Sequence, residues 1–120
     1  MKSDTPRIEW SEKSSKQCLQ FTFGQALSER EAKIAIAEWK AAFRSKTNDS
    51  IILIWDCRKM KSYESAARIL WTEALKEMKP RIDSIWLISD SALIRMGASV
   101  MGMISSLKIK AISAESEIAI

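Results

Sequence analysis

Two short runs in this chain, Ile51-Ile52-Leu53-Ile54-Trp55 and Ile85-Trp86-Leu87-Ile88, are apolar at every position. A strand with one wet face alternates polar and apolar residues. A strand apolar on both sides is covered on both, as in parallel sheets flanked by helices. Parallel neighbours need a crossover, usually a helix. The spacing supplies one: Ala67, Trp71, Ala74 and Met78 recur at helical intervals, and Pro80 stands where that helix must stop.

The alternation of strand and helix extends both ways. Upstream, Arg7–Trp10 reads as an edge strand. In Gln17–Phe23, Cys18, Gln20 and Thr22 alternate with Leu19, Phe21 and Phe23, the period of a half-buried strand. Polar Ser11–Lys16 joins the two as an antiparallel hairpin. Ser28-Glu29-Arg30-Glu31 matches a capping box and opens a helix whose buried stripe is Ala32, Ile36, Trp39 and Phe43. Thr47-Asn48-Asp49-Ser50 breaks that helix. Downstream, Ser91–Leu107 is a third helix, Lys108–Ile112 the last strand, and Ser113–Glu117 the start of a final short helix. The order β-β-α-β-α-β-α-β predicts one α/β domain over residues 1–120. Its sheet is mixed and mostly parallel, with about five strands, right-handed crossovers and three to four helices. Trp39, Trp55, Trp71 and Trp86 are assigned to the core.

The sequence contains no histidine, which removes His-based triads, proton relays and metal ligands together. Carboxylate pairs such as Glu29/Glu31 and Glu115/Glu117 read as solvated faces. We therefore expect no catalytic residue, no metal site and no cofactor. The net charge of +4 is scattered, with no basic stripe of the kind that binds nucleic acid. The start of the chain has no apolar signal region, and two isolated cysteines fit a reducing compartment. Ala92–Leu107 is too short to span a bilayer. These features predict a cytoplasmic protein without a transmembrane segment.

The third helix carries a single charge, Arg95. A helix apolar or small nearly all round is usually covered by something. Leu93, Met96 or Gly97, Val100, Met103 or Ile104, and Leu107 form its expected core stripe. Ile94, Ala98, Met101 and Ser105 then form the expected outer face, a candidate interface for a homodimer or another protein. Asp90 or Asp56 is the expected partner of Arg95. Arg58, Lys59, Asp90, Ser91 and Arg95 should share the carboxyl edge of the sheet, where ligands of open α/β folds bind, and form a candidate anion site. Ser62 and Ser65 are helix-start serines. One is expected to cap the second helix, and both are candidate phosphoacceptors.

The hairpin followed by βαβαβ resembles the STAS domain, and more closely the SpoIIAA-like (STAS/SEC14-type) family of small bacterial proteins. The likeness covers roughly Ile8 to Glu117. It rests on Ile51–Asp56, on Trp71–Lys76 and above all on Trp86–Gly97, where an acid and a serine lead into Arg-Met-Gly. The resemblance implies a non-catalytic regulatory module that works by protein binding, like the anti-sigma-factor antagonists. It lays their strand-end acid on Asp56, their motif acid on Glu64 and their switch serine on Ser65. The Ser-Gly that should follow is Ala66-Ala67 here. The SEC14-type side of the likeness implies the alternative, a binder of a lipid-like molecule with an anionic head.

Overall fold

The computed structural model describes residues 5–46 and 50–120. Of the helix break expected at Thr47–Ser50, residues 47–49 lie outside them. Strands β1 (Arg7–Lys13) and β2 (Lys16–Thr22) form the expected hairpin, β1 longer than its sequence signal and β2 shifted one residue towards the turn. Its turn is only Ser14-Ser15, both left-handed, with φ of 51° and 64°. Two left-handed residues match the right-handed twist of the flanking strands.

Helix α1 (Glu29–Ser45) begins with the expected capping box, in which Glu31 N donates to Ser28 Oγ and Ser28 N donates to Glu31 Oε1. Then come β4 (Ile51–Asp56), α2 (Ser65–Met78), β6 (Ile82–Ile88), α3 (Ala92–Ser105) and β7 (Ile109–Ile112). Two further strands, β3 (Ala26–Leu27) and β5 (Ser62–Tyr63), pair in parallel above the main sheet. The main sheet has the order β1-β2-β4-β6-β7, with β1 antiparallel to β2 and every other neighbour parallel. All six residues of β4 are buried, as an apolar run covered on both faces requires.

The two covers differ in kind. All three helices lie on one face, where Leu19, Phe21, Leu53, Trp55, Ile85 and Leu87 meet Ala32, Trp39, Trp71 and Ile94. Aromatic contacts organise this layer. The Phe21 ring meets Trp39 edge-on at 5.3 Å and Trp71 at 5.8 Å between centroids, and Trp39 lies 5.3 Å from Trp71. Such pairs contribute about 1 kcal/mol each beyond simple burial. The opposite face carries Cys18, Ile52, Ile54, Trp86 and Ile88. No helix covers it. After Ile112 the chain turns through Glu115–Glu117, one turn of 3-10 helix, and packs Ile118 and Ile120 on that face. The final helix expected from Ser113 is thus a strap.

The strap is tied at its acids. Glu115 bridges Lys13 at 4.0 Å and Arg58 at 3.8 Å. The Glu117 carboxylate accepts from Ser113 N, Ser113 Oγ and Ala114 N, each at 2.8 Å. These hydrogen bonds, the Ser113 hydroxyl first, hold the Glu117 carboxyl below the usual range.

Candidate functional site

Helix α3 starts at the carboxyl edge of the sheet. Ser91 is its N-cap, accepting from Ile94 N at 3.4 Å, and Ser91 N in turn donates to buried Ser89 Oγ at 3.1 Å. The helix ends at Ser106, left-handed with φ of 58°. Leu107 N then folds back to Gly102 O at 3.0 Å.

The two faces of α3 are reversed from the sequence expectation. Ile94, Ala98, Met101, Gly102 and Ser105 are buried against the sheet and β7. Leu93, Met96, Val100, Met103 and Ile104 face water, at 61%, 64%, 40%, 80% and 50% exposure. Small residues explain the choice. A Cβ on Gly102 would stand 2.8 Å from the Leu107 carbonyl, so the helix seats closely there. Ser105 is buried without cost because its hydroxyl donates to Met101 O at 2.8 Å. The candidate interface of Ile94, Ala98, Met101 and Ser105 is therefore core, and the expected core stripe is the exposed one.

Most of the expected anion-site side chains bond to protein groups. Arg58 donates to both oxygens of Asp56, Nε to Oδ1 at 2.9 Å and Nη2 to Oδ2 at 2.7 Å. These bonds hold the Asp56 carboxyl below its ordinary value and raise the guanidinium. Arg95 does not pair with Asp56 or Asp90. It donates to Ala111 O at 3.4 Å, and its charge acts on Glu117. The strap's glutamates add to this: Glu115 lies 3.8 Å from Arg58, beyond its Asp56 partner, and Glu117 feels the charge of Arg95. Lys59 and Asp90 are exposed, and Ser91 serves as a cap.

Neither helix-start serine caps α2. Ser62 lies in β5, and Ser65 is the exposed first residue of the helix. Glu64 takes the N-cap position, but its carboxylate accepts from Glu29 N at 2.6 Å and so caps the neighbouring helix α1. Ser65 thus stands on a helix start with no side-chain cap.

Under α3 lies an apolar cavity with about 60 Å³ of free space. Phe23, Leu27, Trp55, Met60, Trp71 and Met101 line it, with Arg68 and Tyr63 also in its wall. Cys57 lines it as well, and burial pushes that thiol strongly up, away from nucleophilic use. The buried indole N–H of Trp55 meets no acceptor among the described residues. Sequence reading missed this cavity because its walls come from five separate segments. Tyr63 and Arg68 carried no signal of their own.

A solved structure shares this architecture: an uncharacterized protein of the DUF3478 family with a SpoIIAA-like fold, from Shewanella loihica PV-4. It matches with a TM-score of 0.77 over 98% of this chain and 94% of that one, at 12% sequence identity. The chain therefore has the SpoIIAA-like α/β fold that its sequence resembles. No protein-family model matches the sequence, and no curated protein does.

Proposed function

We propose that this protein is a non-catalytic regulatory module of the cytoplasm that works by binding another protein through the outer face of α3. The exposed stripe carries the reading. Leu93, Met96, Val100, Met103 and Ile104 leave on the order of 500 Å² of contiguous apolar surface in water, the upper range for a monomer. Leaving it exposed forgoes about 10 kcal/mol of gross burial. Surfaces of this kind mark interaction sites, and methionine adapts well to a partner. Ser65, and less directly Ser62, would be the place for a phosphate switch. A phosphate on Ser65 would meet the positive end of α2, with Arg68 one turn on.

A photocrosslinking amino acid at Met103 tests the reading in cells, with the same group at Lys33 on α1 as control. A discrete protein adduct at position 103 and none at 33 is expected. The absence of any protein adduct at 103 would sink it.

A second reading has its own observation. The cavity beneath α3, with the Trp55 N–H lacking an acceptor and Arg68 in the wall, supports a small apolar ligand bearing an oxygen acceptor or anionic head. Its present volume is far below the roughly 300 Å³ of a typical ligand site, so binding requires α3 to move outward. Native mass spectrometry of the gently purified protein decides this. A bound species lost on Trp55→Phe or Arg68→Ala supports it, and a bare 13.6 kDa chain refutes it.

A further inference from the structure

We infer that the partner recognised by α3 is a second copy of this chain, docked antiparallel across a twofold axis near Val100. The inference rests on the interaction reading above and names the occupant. The exposed residues Leu93, Met96, Val100 and Met103 follow one another at intervals of three, four and three. That is the spacing of a helix–helix seam. The residues flanking the seam are Ala92, Ser99 and Ser106 on one side, Gly97 and Ile104 on the other. None is charged.

This neutrality selects the partner. Seams between different chains are sorted by charges beside the stripe. Here there is nothing to sort with, and nothing to repel an identical copy despite the chain's net charge of +4. The area agrees. Two stripes of about 500 Å² bury roughly 1,000 Å², the threshold of a specific interface, before flanking residues are counted.

Direction follows from Arg95, the lone charge on α3. A parallel pair would bring the two Arg95 side chains together. An antiparallel pair separates them and opposes the helix dipoles favourably. In that register Val100 meets Val100 of the second copy. Leu93 and Met96 of each copy meet the far end of the other stripe, around Met103 and Ile104.

Sedimentation equilibrium of the purified chain, over roughly 10 to 500 µM, tests this directly. The expected mass rises from 13.6 kDa toward twice that value. Val100→Glu places two carboxylates face to face on the axis and should weaken the dimer at least about a hundredfold. Its melting should match the parent's monomer, because Val100 is exposed. Ile69→Glu, more exposed than Val100 but on α2, should leave the dimer intact. Val100→Cys should form a disulfide-linked dimer on mild oxidation, since Cys18 and Cys57 are buried. A chain that stays monomeric throughout, or a dimer indifferent to Val100→Glu, overturns the inference. If the Met103 crosslinker captures a different protein while the pure chain stays monomeric, the dimer fails and the interaction reading survives. If it captures no protein at all, that reading fails too.

Discussion

Replacing Ile118 and Ile120 together with alanine should open the strapped face of the sheet, and Cys18 will report it. Both isoleucines are half-buried on the cluster of Cys18, Ile52, Ile54 and Trp86. Full burial of an isoleucine contributes about 2 kcal/mol, so half-burial gives about 1 each and the pair about 2. The Glu115 bridges to Lys13 and Arg58 are long and half-exposed, and add less than about 1 kcal/mol. A segment held by so little opens locally, well before the whole protein unfolds. The Cys18 thiol is inaccessible and its pKa is raised by burial, so it reacts only from the open form. Removing about 2 kcal/mol should therefore speed its modification by a thiol reagent roughly thirtyfold. Cys57 lies under the helix layer and should stay slow in both proteins. Peptide mass spectrometry over a time course separates the two sites. Equal Cys18 rates in parent and variant, or a parallel rise at Cys57, would show that the strap does not control this face.

Other outcomes follow from single sites. Gly102→Ala, normally a gain of about 1 kcal/mol in a helix, should instead cost a net 1 to 2 kcal/mol, because the new methyl overlaps the Leu107 carbonyl; a higher urea midpoint would contradict this. Ser14→Asn with Ser15→Gly relieves two left-handed serines and should add about 1 kcal/mol in the same assay. Asp56 has a folded pKa below its unfolded one, so its contribution is present above the unfolded value, near 4, and fades as pH falls through the folded value. Asp56→Asn should lower the melting temperature at pH 6 by an amount equivalent to about 1 kcal/mol, allowing for the exposed Arg58, and the gap should shrink toward pH 2.

The β4 and β6 runs, the α2 stripe from Ala67 to Met78 and the Ser28 capping box were legible in the sequence because each carries one strong local signal and no rival. Helix α3 was legible as a helix but not in its orientation. Both of its faces are apolar, so hydrophobic spacing alone fits either. The discriminating signal was steric: Gly102 and Ser105 share the face that must approach β7 closely. The short β3–β5 ladder escaped because two residues carry no period. Glu64 was hidden because it occupies the cap of one helix and bonds the start of another. The anion-site residues were placed at a plausible edge, but Arg58 is taken up by Asp56, and the further acids near the two arginines, Glu115 and Glu117, come from the strap, which sequence spacing read as a helix.

The strap follows every strand of the main sheet in the chain, and that order bears on synthesis. A nascent chain folds from its N-terminus. Helices α1 to α3 are all made before Ile118 and Ile120 emerge. During that interval the sheet already has one finished face, while Cys18, Ile52, Ile54 and Trp86 line a bare one. Chains whose strap has not yet docked would form a population folded on one side and adhesive on the other. Slow translation through the codons after Ile112 would enlarge that population without changing a single residue of the finished molecule.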